Sequence, residues 1–128
     1  MNDLKYTKEH EWLKLEDSSL KTSKIAYIGI TEFAQGELGD IVFVELPNVN
    51  DAFKKDDVFG TIEAVKTLAD LYIPVTAKII EINEKLESEP ELINSDPYNH
   101  GWIVKIELSD PLELDSLLDL DAYNKLVS

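Results

Sequence analysis

Lys66 is the residue of this chain best placed to be chemically modified. It lies in the run Gly60-Thr61-Ile62-Glu63-Ala64-Val65-Lys66-Thr67-Leu68-Ala69-Asp70-Leu71-Tyr72-Ile73-Pro74-Val75. Ile62, Leu68, Leu71 and Ile73 suit two strands, and Val65-Lys66 falls at the bend between them. A primary amine on a four-carbon stem can be acylated and still reach outward. A lysine at the tip of a stiff hairpin is therefore how a covalent carrier would offer its attachment site to another protein. An ordinary solvated turn lysine would occupy the same position. Val65 is β-branched and resists positive φ, which predicts a type I tip instead of the type I′ of glycine-rich hairpins.

Other reactive groups are few. The chain has no cysteine, which removes disulfides, thiol nucleophiles, Cys-ligated zinc and intrinsic dithiol chemistry. Any redox chemistry must come from a cofactor. Its two histidines, His10 and His100, are far apart in sequence. His10 and Glu11 are neighbours, but adjacent residues on a strand point to opposite faces, so they are not expected to converge on one atom. No Ser-His-Asp arrangement and no metal-ligand spacing is present, and the chain reads as a non-enzyme.

With 128 residues, 44% of them apolar, the chain suits one domain, 1-128, with one core. Acidic residues number 26 against 12 basic, a formal net charge of -14. This argues against nucleic acid, which needs clustered Lys and Arg, and against anionic membrane surfaces. It fits self-repulsion in solution, or steering toward partners with basic docking faces. No segment approaches ~18 continuous apolar residues, so no membrane span is expected. Residues 1-10 lack the apolar stretch of a signal peptide and the bias of a transit peptide. That implies a cytoplasmic chain or a mature, trimmed form.

The elements that must hold Lys66 can be read along the chain. Residues 4-15 read as strand, turn, strand, and 24-30 as a strand. Thr31 can cap a short helix from Glu32 to Leu38, with Gly39 to stop it. Ile41 to Leu46 is a β-branched run ended by Pro47-Asn48. Val58 to Ala64 and Thr67 to Ile73 are the hairpin arms, and Lys78 to Asn83 is a further strand. Residues 84-101 hold Pro90, Pro97 and Gly101 and read as an ordered loop or short helical turn. Trp102 to Leu108 alternates as a strand, closing a β body of about 4-108. Asp110-Pro111-Leu112-Glu113 resembles a capping box, opening a helical segment of about 110-127 with Leu114, Leu117 and Leu118 on one face. Asp119 can cap a second helix with Tyr123 and Leu126 inward. A weak echo between Ile41-Pro47 and Ile79-Asn83 suggests a pseudo-symmetric β sandwich. Trp12 and Trp102 are expected in the core.

Several stretches resemble the H-protein family of the glycine cleavage system. They are Tyr6-Thr7-Lys8-Glu9-His10-Glu11-Trp12, Gly29-Ile30-Thr31-Glu32-Phe33-Ala34-Gln35, Gly39-Asp40 through Pro47, Glu63-Ala64-Val65-Lys66, and Asn94-Ser95-Asp96-Pro97-Tyr98 with Gly101-Trp102. The resemblance runs from about Tyr6 to Val127. It implies a mainly β, lipoyl-domain-like (barrel-sandwich hybrid) β sandwich with short helices, the lysine on a hairpin tip and C-terminal helices. It also implies a non-enzymatic carrier with lipoic acid as an amide on Lys66. Such a carrier takes an aminomethyl group from glycine on the P protein, a pyridoxal-phosphate-dependent decarboxylase. The T protein passes the carbon to tetrahydrofolate, and the L protein, a dihydrolipoamide dehydrogenase, reoxidises the dithiol. A lipoate ligase or a lipoyl/octanoyl transferase would load Lys66, with Glu63 and Val65 as recognition marks.

By the same resemblance the arm-binding groove falls on Glu11, Ile30, Ala34, Leu38 and Asp70. Ile30, Ala34 and Leu38 are spaced for one helical face, and Glu11 or Asp70 would accept from the ammonium of the carried group. Plain core and solvated surface are the other readings of these residues. Glu37 stands where some members have histidine and receives no role. Ala77 stands where the family usually has glycine; a required positive φ there would cost on the order of 1 kcal/mol. A carrier that docks with several partners in turn implies a monomer, cytoplasmic in a bacterium or in the mitochondrial matrix for a mature eukaryotic form. Three rivals stay open: a relay handing lipoyl or octanoyl groups to other lipoyl domains, an unmodified interaction module, and a lipoyl domain detached from a 2-oxoacid dehydrogenase. The last usually has Asp-Lys at the tip, and biotin carriers usually have methionine on each side of the lysine.

Overall fold

The computed structural model describes residues 4–16 and 24–127. Among these residues nine strands form two antiparallel sheets. The larger has β1 (Lys5–Tyr6), β2 (Glu11–Leu15), β3 (Ile25–Ile30), β9 (Val104–Leu108), β8 (Ala77–Ile82) and β5 (Ala52–Phe53) side by side in that order. The smaller has β4 (Ile41–Glu45), β6 (Val58–Ala64) and β7 (Leu68–Tyr72). α1 (Glu32–Leu38) links the sheets, α2 (Lys85–Ser88) and α3 (Leu92–Ser95) fill the segment before β9, and α4 (Leu120–Val127) ends the chain.

Alternation along the strands sends Ile28, Val104, Ile106 and Ile79 inward from one sheet and Ile62 and Leu71 from the other, all into one apolar cluster. Full burial of such side chains contributes about 1.5–3 kcal/mol each, enough to clamp the β6–β7 hairpin to the larger sheet. A second cluster joins Tyr6, Trp12 and Tyr123, with Tyr6 and Tyr123 stacked at 4.6 Å. This seats α4 on β1 and β2. Trp12 lies opposite Gly29 in register; a Cβ on Gly29 would stand 2.6 Å from the indole.

The α1 boundaries fall as expected. The Thr31 hydroxyl accepts from the Ala34 amide, and Gly39 ends the helix at φ 78°. Ala77 is not among the positive-φ residues described, which are His10, Asn50, Asp56 and Gly39. It is a buried strand residue, so alanine fits there without strain.

The C-terminal segment departs from expectation in three respects. Pro111–Ser116 is a 3₁₀ helix, and its Asp110 cap accepts from the Leu112 amide. The Glu113 carboxylate does not complete a capping box. It accepts from the Thr76 amide (2.8 Å) and hydroxyl (3.0 Å), pinning the segment to the turn before β8. Leu126 is exposed, whereas Tyr123 is buried; Asp119 does cap α4 through the Ala122 amide. Trp12 is core, and Trp102 is only partly buried.

Candidate functional site

Lys66 stands at the tip joining β6 to β7, exposed, with no hydrogen-bond or salt-bridge partner among the described residues. The Ala64 amide donates to the Thr67 carbonyl (2.8 Å), and the Val65 amide donates to the Asp40 carbonyl (3.1 Å). The tip is thus tied to the turn after α1. Neither Val65 nor Lys66 has positive φ, as the branching at Val65 requires, so the tip is not type I′. Glu63 is exposed and lies in register between Phe43 and Leu68. Phe43, Val65 and Leu68 are exposed apolar residues, so the lysine rises from an apolar and acidic surface.

A cavity of about 480 Å³ lies on the flank of this hairpin. Glu11, Ile30, Ala34, Leu38 and Asp70, which the family resemblance assigns to a groove, all line it. So do Glu9, His10, Phe33, Glu37, Ile62, Ala69 and Leu71. Ile62 is four residues before Lys66, about 13 Å along an extended strand. The apolar wall comes from the end of β3, one face of α1 and the arms of the hairpin. Its polar groups lie at the turn into β2, at Glu37 on α1 and at Asp70.

Glu11 is the unusual group. Its side chain is buried, with 2% exposure, at the first position of β2. The Thr7 hydroxyl donates to Oε1 at 2.7 Å and the Tyr72 amide to Oε2 at 3.1 Å. Those bonds favour the carboxylate, but burial outweighs them and pushes its pKa up to about 7. The nearby charges of Glu9 and Asp56 act in the same direction.

His10 corrects the strand-alternation reading. It precedes β2 and has φ 69°, so alternation does not apply, and His10 and Glu11 line the same cavity. Its imidazole is held by Nδ1 to the Tyr123 hydroxyl (2.8 Å) and packs on Phe33 at 4.8 Å. The Tyr123 hydroxyl also bonds Thr31 Oγ1 (2.7 Å), so α4 braces both His10 and the α1 cap. The non-sequential contributions of His10, Phe33, Ile62 and Leu71 carried no sequence signal beyond their apolar or aromatic character. Among the described residues no group of His, Cys, Asp and Glu is arranged to hold a metal, and no helix is long and apolar enough to cross a membrane.

The family model for the glycine cleavage H-protein matches residues 4–128. The glycine cleavage system H protein of Symbiobacterium thermophilum is 57% identical over 122 residues, covering 95% of this chain and 91% of that protein. The H protein of Staphylococcus haemolyticus is 52% identical over 126 residues, covering 98% and 95%. Among solved structures, a glycine cleavage system H protein from Mycobacterium marinum superposes with a TM-score of 0.87 at 31% identity, covering 98% of this chain and 96% of that one. An exposed lysine on a hairpin tip, above a cavity in a two-sheet β fold, is thus found in a chain whose whole described length matches one family. The chain belongs to the glycine cleavage H-protein family.

Proposed function

We propose that this chain is a non-enzymatic lipoyl carrier, with lipoic acid joined as an amide to Lys66. It brings glycine's aminomethyl group from the P protein to the T protein and then meets the L protein. The observation that carries this reading is the solvated, unpartnered Lys66 on a tip whose own arms wall a cavity. When bound, lipoic acid supplies the disulfide and dithiol chemistry for which this chain has no sulfur of its own except Met1.

The residues present fit such a group. Lys66 is free to be acylated, and acylation forfeits no ion pair. The cavity offers apolar surface from Ile30, Phe33, Ala34 and Leu38, which excludes water from a labile cargo. Glu11 and Asp70 offer oxygen acceptors to a cationic amine, Glu11 from inside the wall and Asp70 from its exposed rim. Glu63, exposed and framed by Phe43 and Leu68, is placed to be read with Val65 by the enzyme that modifies Lys66, a lipoate ligase or a lipoyl/octanoyl transferase. One apolar cluster spans both sheets, which supports a single domain; a monomer leaves the tip open to each partner in turn. The bacterial relatives support a cytoplasmic setting.

The test is intact mass before and after incubation with lipoic acid, ATP and a lipoate ligase. The parent chain should gain one lipoyl group and Lys66→Arg none. A folded parent that gains nothing, while a known lipoyl domain is modified in the same reaction, refutes the carrier reading.

A further inference from the structure

α1 is the wall of the cavity that burial holds least. It has seven residues, none of them buried, and isolated helices shorter than about 12–15 residues are marginal in water. Yet it supplies Phe33, Ala34 and Leu38 to the cavity. Ala34 and Leu38 pack on the main core and the Tyr123 hydroxyl braces the Thr31 cap; the remaining ties on α1 are polar and come from the segment before β9. The Tyr98 hydroxyl accepts from the Glu32 amide (2.8 Å), one of the unpaired donors of the helix N-terminus. Asn94 grips the other end three times. Its Nδ2 donates to Gln35 Oε1 (2.9 Å) and to the Gly39 carbonyl (2.8 Å), and its Oδ1 accepts from the Ile41 amide (3.0 Å). The segment is anchored in turn by Trp12, whose Nε1 donates to the Pro97 carbonyl (3.0 Å). Gly39, gripped by Asn94, precedes Asp40, whose carbonyl holds the Val65 amide.

We propose that Asn94 and Tyr98 are positioning residues that set the aperture of the arm cavity by clasping α1 at its two ends. This rests on the carrier reading above. Neither residue touches the cavity; each acts through α1. Loosening the clasp opens the apolar wall to water, so the carried group is lost faster, while Lys66, whose β6 arm is paired with both β4 and β7, is still modified.

Tyr98→Phe, Asn94→Asp and Asn94→Ala test this at graded depth. Tyr98→Phe removes one acceptor and keeps the ring; Asn94→Asp keeps the acceptor for Ile41 and loses both donors. The first readout is hydrogen–deuterium exchange of the unmodified chain. Each lost bond should speed exchange of the α1 amides roughly fivefold, up to on the order of 100-fold for Asn94→Ala, with β3, β8 and β9 amides unchanged. The second readout uses lipoylated protein, confirmed by intact mass and loaded by P protein from glycine labelled at its α-carbon, the carbon kept after decarboxylation. After desalting, label should be lost faster in the order of the exchange effect, with the rate of Lys66 modification within about twofold of the parent. Unchanged α1 exchange overturns the clasp. Faster exchange with unchanged label retention overturns its role at the cavity while leaving the carrier reading intact. A parent chain that takes no lipoyl group overturns the carrier reading itself, and is seen before any variant is compared.

Discussion

Replacing Glu11 with glutamine should stabilise this protein at alkaline pH and do so much less at pH 5. The carboxyl is buried, and its pKa rises from an ordinary 4.5 to about 7. At 1.36 kcal/mol per pH unit, the difference amounts to about 3 kcal/mol of destabilisation once Glu11 is ionised in the folded state. The sign follows from proton linkage: between 4.5 and about 7 the folded state holds a proton that the unfolded chain has released, so stability falls as pH rises through that window. Below it both states are protonated and the penalty is absent; above about 7 it is complete. Glutamine reproduces the neutral form, because its carbonyl can accept from the Tyr72 amide while its NH₂ donates to the Thr7 hydroxyl. Urea unfolding of both proteins at pH 5, 6, 7, 8 and 9 gives the difference in stability as a function of pH. That subtraction cancels the other carboxylates. The advantage of Glu11→Gln should grow by about 2.5 kcal/mol between pH 5 and 9, with its midpoint between 4.5 and about 7. Parallel curves for the two proteins would refute the reasoning, since they would mean that burial does not strain the Glu11 carboxylate.

Two further substitutions probe the framework. Ala77→Gly, although it restores the residue usual in the family, should destabilise by about 1 kcal/mol, because the position is a buried strand residue without positive φ; a gain in thermal unfolding temperature would contradict this. Gly29→Ala should cost about 1–3 kcal/mol, since its Cβ would meet the Trp12 indole at 2.6 Å, and a loss of near-ultraviolet circular dichroism from displaced Trp12 should accompany the drop in urea midpoint.

Features with local causes were legible in the sequence. A threonine cap and a glycine stop bound α1 where Thr31 and Gly39 stand. A β-branched run between turn residues marked β4, apolar runs marked β3 and the hairpin arms, and a branched Val65 excluded the primed tip. Features made by side chains reaching across the fold were not legible. Nothing local says that Glu113 will bond Thr76 instead of its own helix start, or that Asn94 and Tyr98 will hold a helix some 60 residues earlier. The groove shows the same division. Ala34 and Leu38 share a helical spacing on α1 that the sequence shows, whereas Ile30 joins them from the end of β3. His10 enters only because a single positive φ breaks the alternation that would have turned it away.

Lys66 and Glu11 stand in opposite relation to the fold. Lys66 is exposed and has no ion pair or hydrogen bond to lose among the described residues, so the role proposed for it leaves no mark on stability, and Lys66→Arg should unfold with its parent. Glu11 is held by two hydrogen bonds inside a wall where its charge costs about 3 kcal/mol. A residue kept for the fold alone would be neutral at that position, as the glutamine substitution is expected to show. The carboxylate becomes favourable only when a cation reaches the cavity and offsets its burial, because an opposite charge in a low dielectric stabilises the ionised form. The same burial that destabilises the unloaded protein at alkaline pH therefore strengthens the attraction for a cationic amine. By this reading the strained carboxyl belongs to the carrier's work, and the helix clasped beside it keeps the water out that would otherwise weaken that attraction.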